Sequence, residues 1–482
     1  MKVVSIECQK NIYSAPRLTR RLLGASIIST FAGGFHFGYL ISAVNPLSEV
    51  LQQFIVENLQ TRYSFTISSS QLALVWSSLA GCLFVGAMIG SYLSVYLLLS
   101  IGPRKTLLLA AVILLFSTPI FGIAYTLSLA ELLPVSRILS GVGFAIGISA
   151  QGVFLTEISP AICRGLTNSL GGLIGNCAFL LAAALGTPFI LGTVTHWKYI
   201  FFIETIPCLV HIFLNISTFH DSPTYLLSVG KSSEAEYSLR AYYGEQCHIK
   251  KILKDLRRSH SDVKEKSLRE IFKDKACSQA LSLSMAINFS VAFSGVVAIS
   301  FFGTFILQSV GFSLEGSAIA NSMCSLASII SASLAAVAMD KVGRRPLLIS
   351  SLLVLVLINI LMMSLVFLYD STKDAFLAWP FLALFIFFTF VFSIGIGPAA
   401  VFIGAELAPP GTISKMQCYS TSVQFMGSFI CPVLYLTLVE SVGGLAFLLF
   451  IIPLTITAFY FYMYLPETKG KTPVEINELL RK

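Results

Sequence analysis

Apolar stretches long enough to cross a bilayer recur along this whole chain, and no other feature limits its fold as strongly. A hydrocarbon core of roughly 30 Å is crossed by a helix of about 20 apolar residues. Twelve spans can be placed near 22–44, 72–97, 106–126, 132–154, 166–190, 198–217, 281–307, 315–338, 347–369, 378–404, 415–438 and 444–465. With 55% hydrophobic residues, 12% charged residues and a mean hydropathy of +0.82, a soluble globular fold is excluded. The expected class is an all-α membrane protein with twelve transmembrane helices. The expected segments are 1–21, a six-helix bundle over 22–217, a linker over 218–276, a second bundle over 277–465, and a tail over 466–482.

Charge sets the expected orientation. The linker carries twelve Lys or Arg, and strings such as "EAEYSLRAYY" and "IKKILKDLRR" pattern as short amphipathic helices. Nucleic-acid binding is one reading of that basicity, but topology accounts for it better. Placing 1–21, the linker, the alternate short loops and the tail on one side leaves only Arg62, Arg137, Lys198 and Lys373 on the other. Lys and Arg accumulate in the cytoplasm, so both termini and the linker are expected there. The opening "MKVVSIECQKNIYSAPRLTRR" has no apolar core before a small-residue cleavage site, so a cleaved signal is not expected. The ten cysteines are scattered with no CxxC pair and read as small buried hydrophobes, not as metal ligands or a disulfide framework. No GxxxxGK[ST] occurs, so ATP-driven transport has no support. No catalytic constellation appears and no cofactor is expected; the expected partners are the lipid bilayer and a small-molecule substrate.

The halves of the chain repeat. "IGPRKTLL" and "DKVGRRPLL" place Gly102 and Gly343 241 residues apart in a chain of 482. Glu157 opens "EISPAICRG" after span 4, and Glu406 opens "ELAPPGTIS" after span 10, 249 residues on. "DSP" follows span 6 and "PET" follows span 12 at a similar offset. A duplicated six-helix unit explains all three. Parallel halves with a substrate held between them near the midplane are a known transporter architecture. Asp340, Lys341, Arg344 and Arg345 then fall in the loop equivalent to that of Arg104 and Lys105. Both sets are in reach of Glu157 and Glu406 at the same membrane face. Pairs of this kind formed in one state only would bias an inward/outward equilibrium.

These strings, with "GFHFGYLISAVNPL", "RILSGVGFAIG", "GIGPAAVFIGAEL" and "PETKGKT", resemble the sugar porter family of the major facilitator superfamily, especially the animal facilitative glucose transporters. The resemblance runs from about Leu18 to Thr472. It implies the two-half major facilitator fold, facilitative transport of a hexose such as glucose or fructose by alternating access, and residence in the plasma membrane. It also implies a charge network containing Arg137, Glu157, Arg164, Arg344, Arg345 and Glu406, and an aromatic gating pair at Phe301 and Phe302.

Departures from the family pattern are concentrated in the substrate site. The span 5 glutamine falls on Gly172, and the span 7 glutamines fall on Val291 and Ala292, leaving Ser294 and Gly295. Val401 replaces the span 10 tryptophan, and Gln424 and Phe425 stand in span 11. Substrate contact is therefore expected at Ser294, Gln424 and Phe425, with either a weakly held hexose or a less polar solute as cargo. Leu40 occupies the place of the proton-carrying aspartate of coupled relatives, so transport is expected to be passive. His36, Glu204 and His211 read as packed, inward-facing polar groups. A sensor that binds without transporting, signalling through 218–276 or 473–482, is the remaining alternative, although about ten residues in that last segment are short for a signalling module.

Overall fold

A computed structural model describes residues 19–481, apart from 161–162, 245–248, 250–251, 254–255, 257–267, 410–411 and 469–472. Side chains at 268, 336–341, 401–402, 405, 413–414, 473–474 and 477 also lie outside the description, which includes Asp340. The described residues form helices and connections with no strand. Ten stretches are long and apolar enough to cross a membrane. One of these, Lys415–Tyr464, holds two helices, Ile413–Val442 (span 11) and Leu448–Tyr464 (span 12). The first crossing is in two pieces, Arg20–Thr30 and Gly34–Ser42, each too short to count alone. The total is twelve crossings.

In the first half, spans 2 to 5 are Ser69–Ile101, Pro103–Leu127, Leu132–Ile158 and Arg164–Leu185. Span 6 runs as Lys198–Ile203 and Thr205–Thr218. In the second half, span 7 is Lys275–Ala292 continued by Val296–Ser309, span 8 is Leu314–Val342 and span 9 is Arg344–Thr372. Span 10 is Ala378–Ile394 with Ile396–Leu407. The linker contributes the helices Pro223–Ser228, Ser232–Tyr243 and Leu268–Lys273, and the tail contributes Pro473–Arg481. A further helix, Ser48–Tyr63, lies between spans 1 and 2, at the end opposite the linker.

The sequence repeat has a backbone counterpart. Gly102 and Gly343 both take positive φ, +83° and +102°, at the tight corners joining spans 2 to 3 and 8 to 9. An L side chain is strained in that conformation, which explains why both repeats hold glycine there. The halves meet where span 2 packs on span 11, span 5 on span 8, and the second piece of span 1 on the second piece of span 7. Large aromatic side chains fill this seam: Phe84 lies 5.8 Å from Phe301 and 6.1 Å from Phe425 between ring centroids. Many leucine, isoleucine and phenylalanine side chains on the outer faces of the spans are exposed, as a lipid-facing surface requires.

Candidate functional site

Spans 1 and 7 face each other across the seam, and both are broken. Span 1 breaks at Phe31–Gly33 in the string "FAGGF". The break leaves the Gly34 N–H without a helical partner, and it donates instead to Gln151 Oε1 of span 4 at 2.8 Å. Span 7 breaks at Phe293–Gly295, where Gly295 has φ +102°. The Ser294 hydroxyl donates to Val291 O at 2.9 Å and accepts the Val296 N–H at 3.2 Å, while Asn359 of span 9 donates to Ser294 O at 3.3 Å. Ser294 is fully buried, so its hydroxyl holds the break together in this state.

Phe425 is likewise packed. Its ring stacks on Phe84 and meets Phe144 edge-on at 6.1 Å. Gln424, the next residue, is half-buried. Phe301 and Phe302 are both buried, and Phe302 departs from helical geometry (φ −123°), adding a second irregularity to span 7. The Arg137 guanidinium lies 5.8 Å from the Phe301 ring and donates to Leu40 O at 2.7 Å and Ala80 O at 3.1 Å. Main-chain carbonyls of spans 1 and 2 thus meet this buried cation beside the leucine that replaces a carboxylate.

Below Arg137, His36 and Glu204 are fully buried and 2.9 Å apart. His36 Nε2 lies 2.9 Å from the Phe31 carbonyl, which only accepts, so Nε2 carries a proton. His211 Nδ1 similarly meets the Ile28 carbonyl at 2.8 Å. All three polar groups pack the first half internally, clamping span 6 to the broken span 1.

At the end opposite the linker, a polar clasp joins the halves. Asn45, just past span 1, accepts the Thr304 N–H at 3.1 Å and the Thr304 hydroxyl at 2.6 Å. Gln308 donates to Glu49 at 3.1 Å a turn further out. Sequence reasoning did not single out these residues. "AVNPL" marks only a helix exit, and the partner lies 259 positions away.

At the linker end the two repeats form matching networks inside each half. Ser222 of "DSP" donates to Glu157, and Thr468 of "PET" donates to Glu406 at 2.6 Å. Arg344 lies 3.5 Å from Glu406. Arg345 donates to the Tyr462 carbonyl at 2.8 Å, closing the end of span 12. Arg104 does the equivalent for span 6, donating to the Asn215 and Ile216 carbonyls at 2.9 and 3.4 Å. Arg104 is thus directed to a helix end, and Glu157 is held by a hydroxyl. Lys105 and Arg164 are exposed at the same face, and the Asp340 side chain lies outside the described residues.

Two parallel six-helix halves, meeting through broken helices and clasped at one end, define a secondary-transporter architecture. The model of the "Sugar (and other) transporter" family matches residues 25–480, and the chain belongs to that family. It is 24% identical over 471 residues to mouse "Solute carrier family 2, facilitated glucose transporter member 7", covering 96% of this chain and 91% of the relative. It is 24% identical to "Facilitated glucose transporter protein 1" of Caenorhabditis elegans, covering 98% and 93%. Among solved structures, the partially occluded, inward-open xylose transporter XylE of E. coli superposes with a TM-score of 0.76 at 19% identity, covering 94% of this chain and all of that one. The fold is that of the major facilitator superfamily.

Proposed function

We propose that this chain is an uncoupled carrier of a hexose such as glucose or fructose, working by alternating access in the plasma membrane with both termini cytoplasmic. The observation that carries the reading is the short Asn45–Thr304 clasp between the two halves at the end opposite the linker, against longer contacts of Ser91 with Ser422 and Cys418 towards the linker end, at 3.5 and 3.6 Å. A clasp of short bonds at one mouth, made and broken as the halves move, is what a carrier needs to open one side at a time. In this reading the clasp closes the extracellular mouth, Phe301 and Phe302 form the gate behind it, and solute enters from the linker side.

Passive transport is supported by the packing around Arg137. Leu40 contributes a carbonyl where a coupled carrier needs a titrating group, and the carboxyl of Glu204 is sealed against His36. Substrate contact is proposed for Gln424 and the face of Phe425, with Ser294 joining when span 7 moves. Arg104, Lys105, Arg137, Glu157, Arg164, Asp340, Arg344, Arg345 and Glu406 are proposed to set the balance between open states. The dense aromatic seam of Phe84, Phe144, Phe301 and Phe425 favours one alternative, a less polar organic solute. Uptake of labelled hexoses and of apolar organic solutes into proteoliposomes separates the two: saturable hexose uptake is expected, and uptake of the organic solutes alone would favour the alternative.

A further inference from the structure

The two halves differ at one point of their repeat, and the difference leaves a group without a partner. In the second half, Glu467 accepts the backbone N–H groups of Arg344 and Arg345 at 3.1 and 3.2 Å, capping the start of span 9. Asp221 is its first-half counterpart, preceding Ser222 as Glu467 precedes Thr468. The counterpart of Arg344 is Pro103, which has no N–H to donate. The Arg104 N–H, counterpart of that of Arg345, is not capped by Asp221 either, and Asp221 Oδ1 is buried without a hydrogen-bond partner.

One neighbour shares this condition, and a second is only partly engaged. His220 Nε2 is buried and unbonded, although the His220 main chain is fixed by the Tyr242 hydroxyl at 3.0 Å on both its N–H and its C=O. Arg104 bonds Asn215 and Ile216 through Nε and Nη2 only. All three residues line one cavity of about 340 Å³, completed by Leu226, Glu234 and the ring of Tyr237. Burial pushes the Asp221 carboxyl above its ordinary range, while Arg104 and Lys105 oppose that shift across the cavity. Arg104 and Asp221 thus line the hollow without a contact between them, while Glu234 at its rim is paired with Lys231 at 2.9 Å.

The lining specifies a ligand by elimination. A neutral sugar would leave the Arg104 fork without an anion, and inorganic phosphate would place bare anionic oxygens against Asp221. A molecule carrying both a phosphate and several hydroxyls satisfies both sides: phosphate to Arg104, a hydroxyl donor to Asp221, and a ring face along Tyr237. We propose that this cavity binds a hydroxylated phosphate monoester, the chemistry shared by free sugar phosphates and phosphoinositide headgroups. Through Arg104 and Ser222 the cavity touches the ends of spans 3, 4 and 6, so occupancy holds those ends together and slows the change between open states. On the hexose reading above, a free sugar phosphate is the product of the phosphorylation that consumes the imported sugar.

Calorimetric titration of the purified full chain tests this with glucose 6-phosphate, glucose and inorganic phosphate, and with vesicles containing or lacking phosphatidylinositol 4-phosphate. Glucose 6-phosphate is expected to bind at least about tenfold tighter than phosphate or glucose. Asp221→Ala and His220→Ala should each lose that margin while hexose uptake persists. Pro103→Ala should lose it as well, because the restored N–H gives Asp221 a helix end to cap. Saturable binding to the phosphoinositide vesicles alone, lost in the same variants, identifies the headgroup as the source. Equal affinity for inorganic phosphate, or affinity unchanged in all three variants, overturns the proposal. Hexose transport failing in the wild type while the margin survives would remove the carrier reading and leave the site standing.

Discussion

Glu204 holds its place because His36 does. Removing one member of a buried hydrogen-bonded pair leaves the other desolvated and unmatched, at a cost of about 1–3 kcal/mol. Glu204→Ala should therefore lower the melting temperature of the purified protein sharply, and Glu204→Gln, which keeps an oxygen and a hydrogen bond, should lower it much less. A melting temperature unchanged in Glu204→Ala would mean that the pair contributes no stability. Gly172 carries a second prediction. A Cβ there meets nothing within 4 Å, so the position has room for a long side chain. Gly172→Gln should tighten glucose binding by about fivefold if its amide gains one hydrogen bond worth about 1 kcal/mol. Val291→Gln should gain less, since Val291 is already buried against the core. Equilibrium binding of labelled glucose checks both variants, and tighter binding in neither would argue that the cavity is shaped for another solute.

At the scale of elements, the clasp and the corners carry the account. Asn45→Ala removes the side-chain oxygen that accepts both Thr304 bonds and leaves only the longer contact to the Asn45 carbonyl at 3.2 Å, and a loss of about 1–2 kcal/mol shifts a two-state balance by roughly 5- to 30-fold. Labelling of a Phe302→Cys probe by an impermeant external reagent should rise by that order when Asn45→Ala is added. Unchanged labelling would mean that other contacts close this mouth. Gly343→Ala forces an L residue to φ +102° and should destabilise the span 8–9 corner by about 1–2 kcal/mol, read as a lower melting temperature.

The twelve crossings were legible because apolar length is a property of each segment alone. The repeat was legible because its glycines, carboxylates and hydroxyls sit at fixed offsets. The breaks were not. "FAGGF" is continuously apolar, and its break depends on Gln151, far along the chain, being available to accept the Gly34 N–H. Arg104 was expected near Glu157 and instead closes the end of span 6 on Asn215. Charge sign limits the partners a guanidinium can have, but packing chooses among a carboxylate, an amide and a row of carbonyls. Ser294 shows the same limit: its residue type marks a polar position, and only the fold shows that the hydroxyl turns back into its own helix.

For the molecule as a whole, the account holds that the halves rock about a fixed seam while the linker-side networks set the resting balance. Arg344 and Arg345 tie spans 9, 10 and 12 through Glu406, Glu467 and Tyr462. Replacing both arginines with alanine should enlarge the inward-open population, reported by faster labelling of cavity cysteines from the linker side. No change in labelling would reduce these charges to topology markers. Accumulation in sealed proteoliposomes with an imposed pH difference separates passive from coupled movement. For passive movement, labelled hexose equilibrates to the external concentration and no further, and a protonophore leaves the plateau unchanged. Accumulation above the external concentration, collapsed by the protonophore, would contradict it and would make the buried His36–Glu204 pair a proton site.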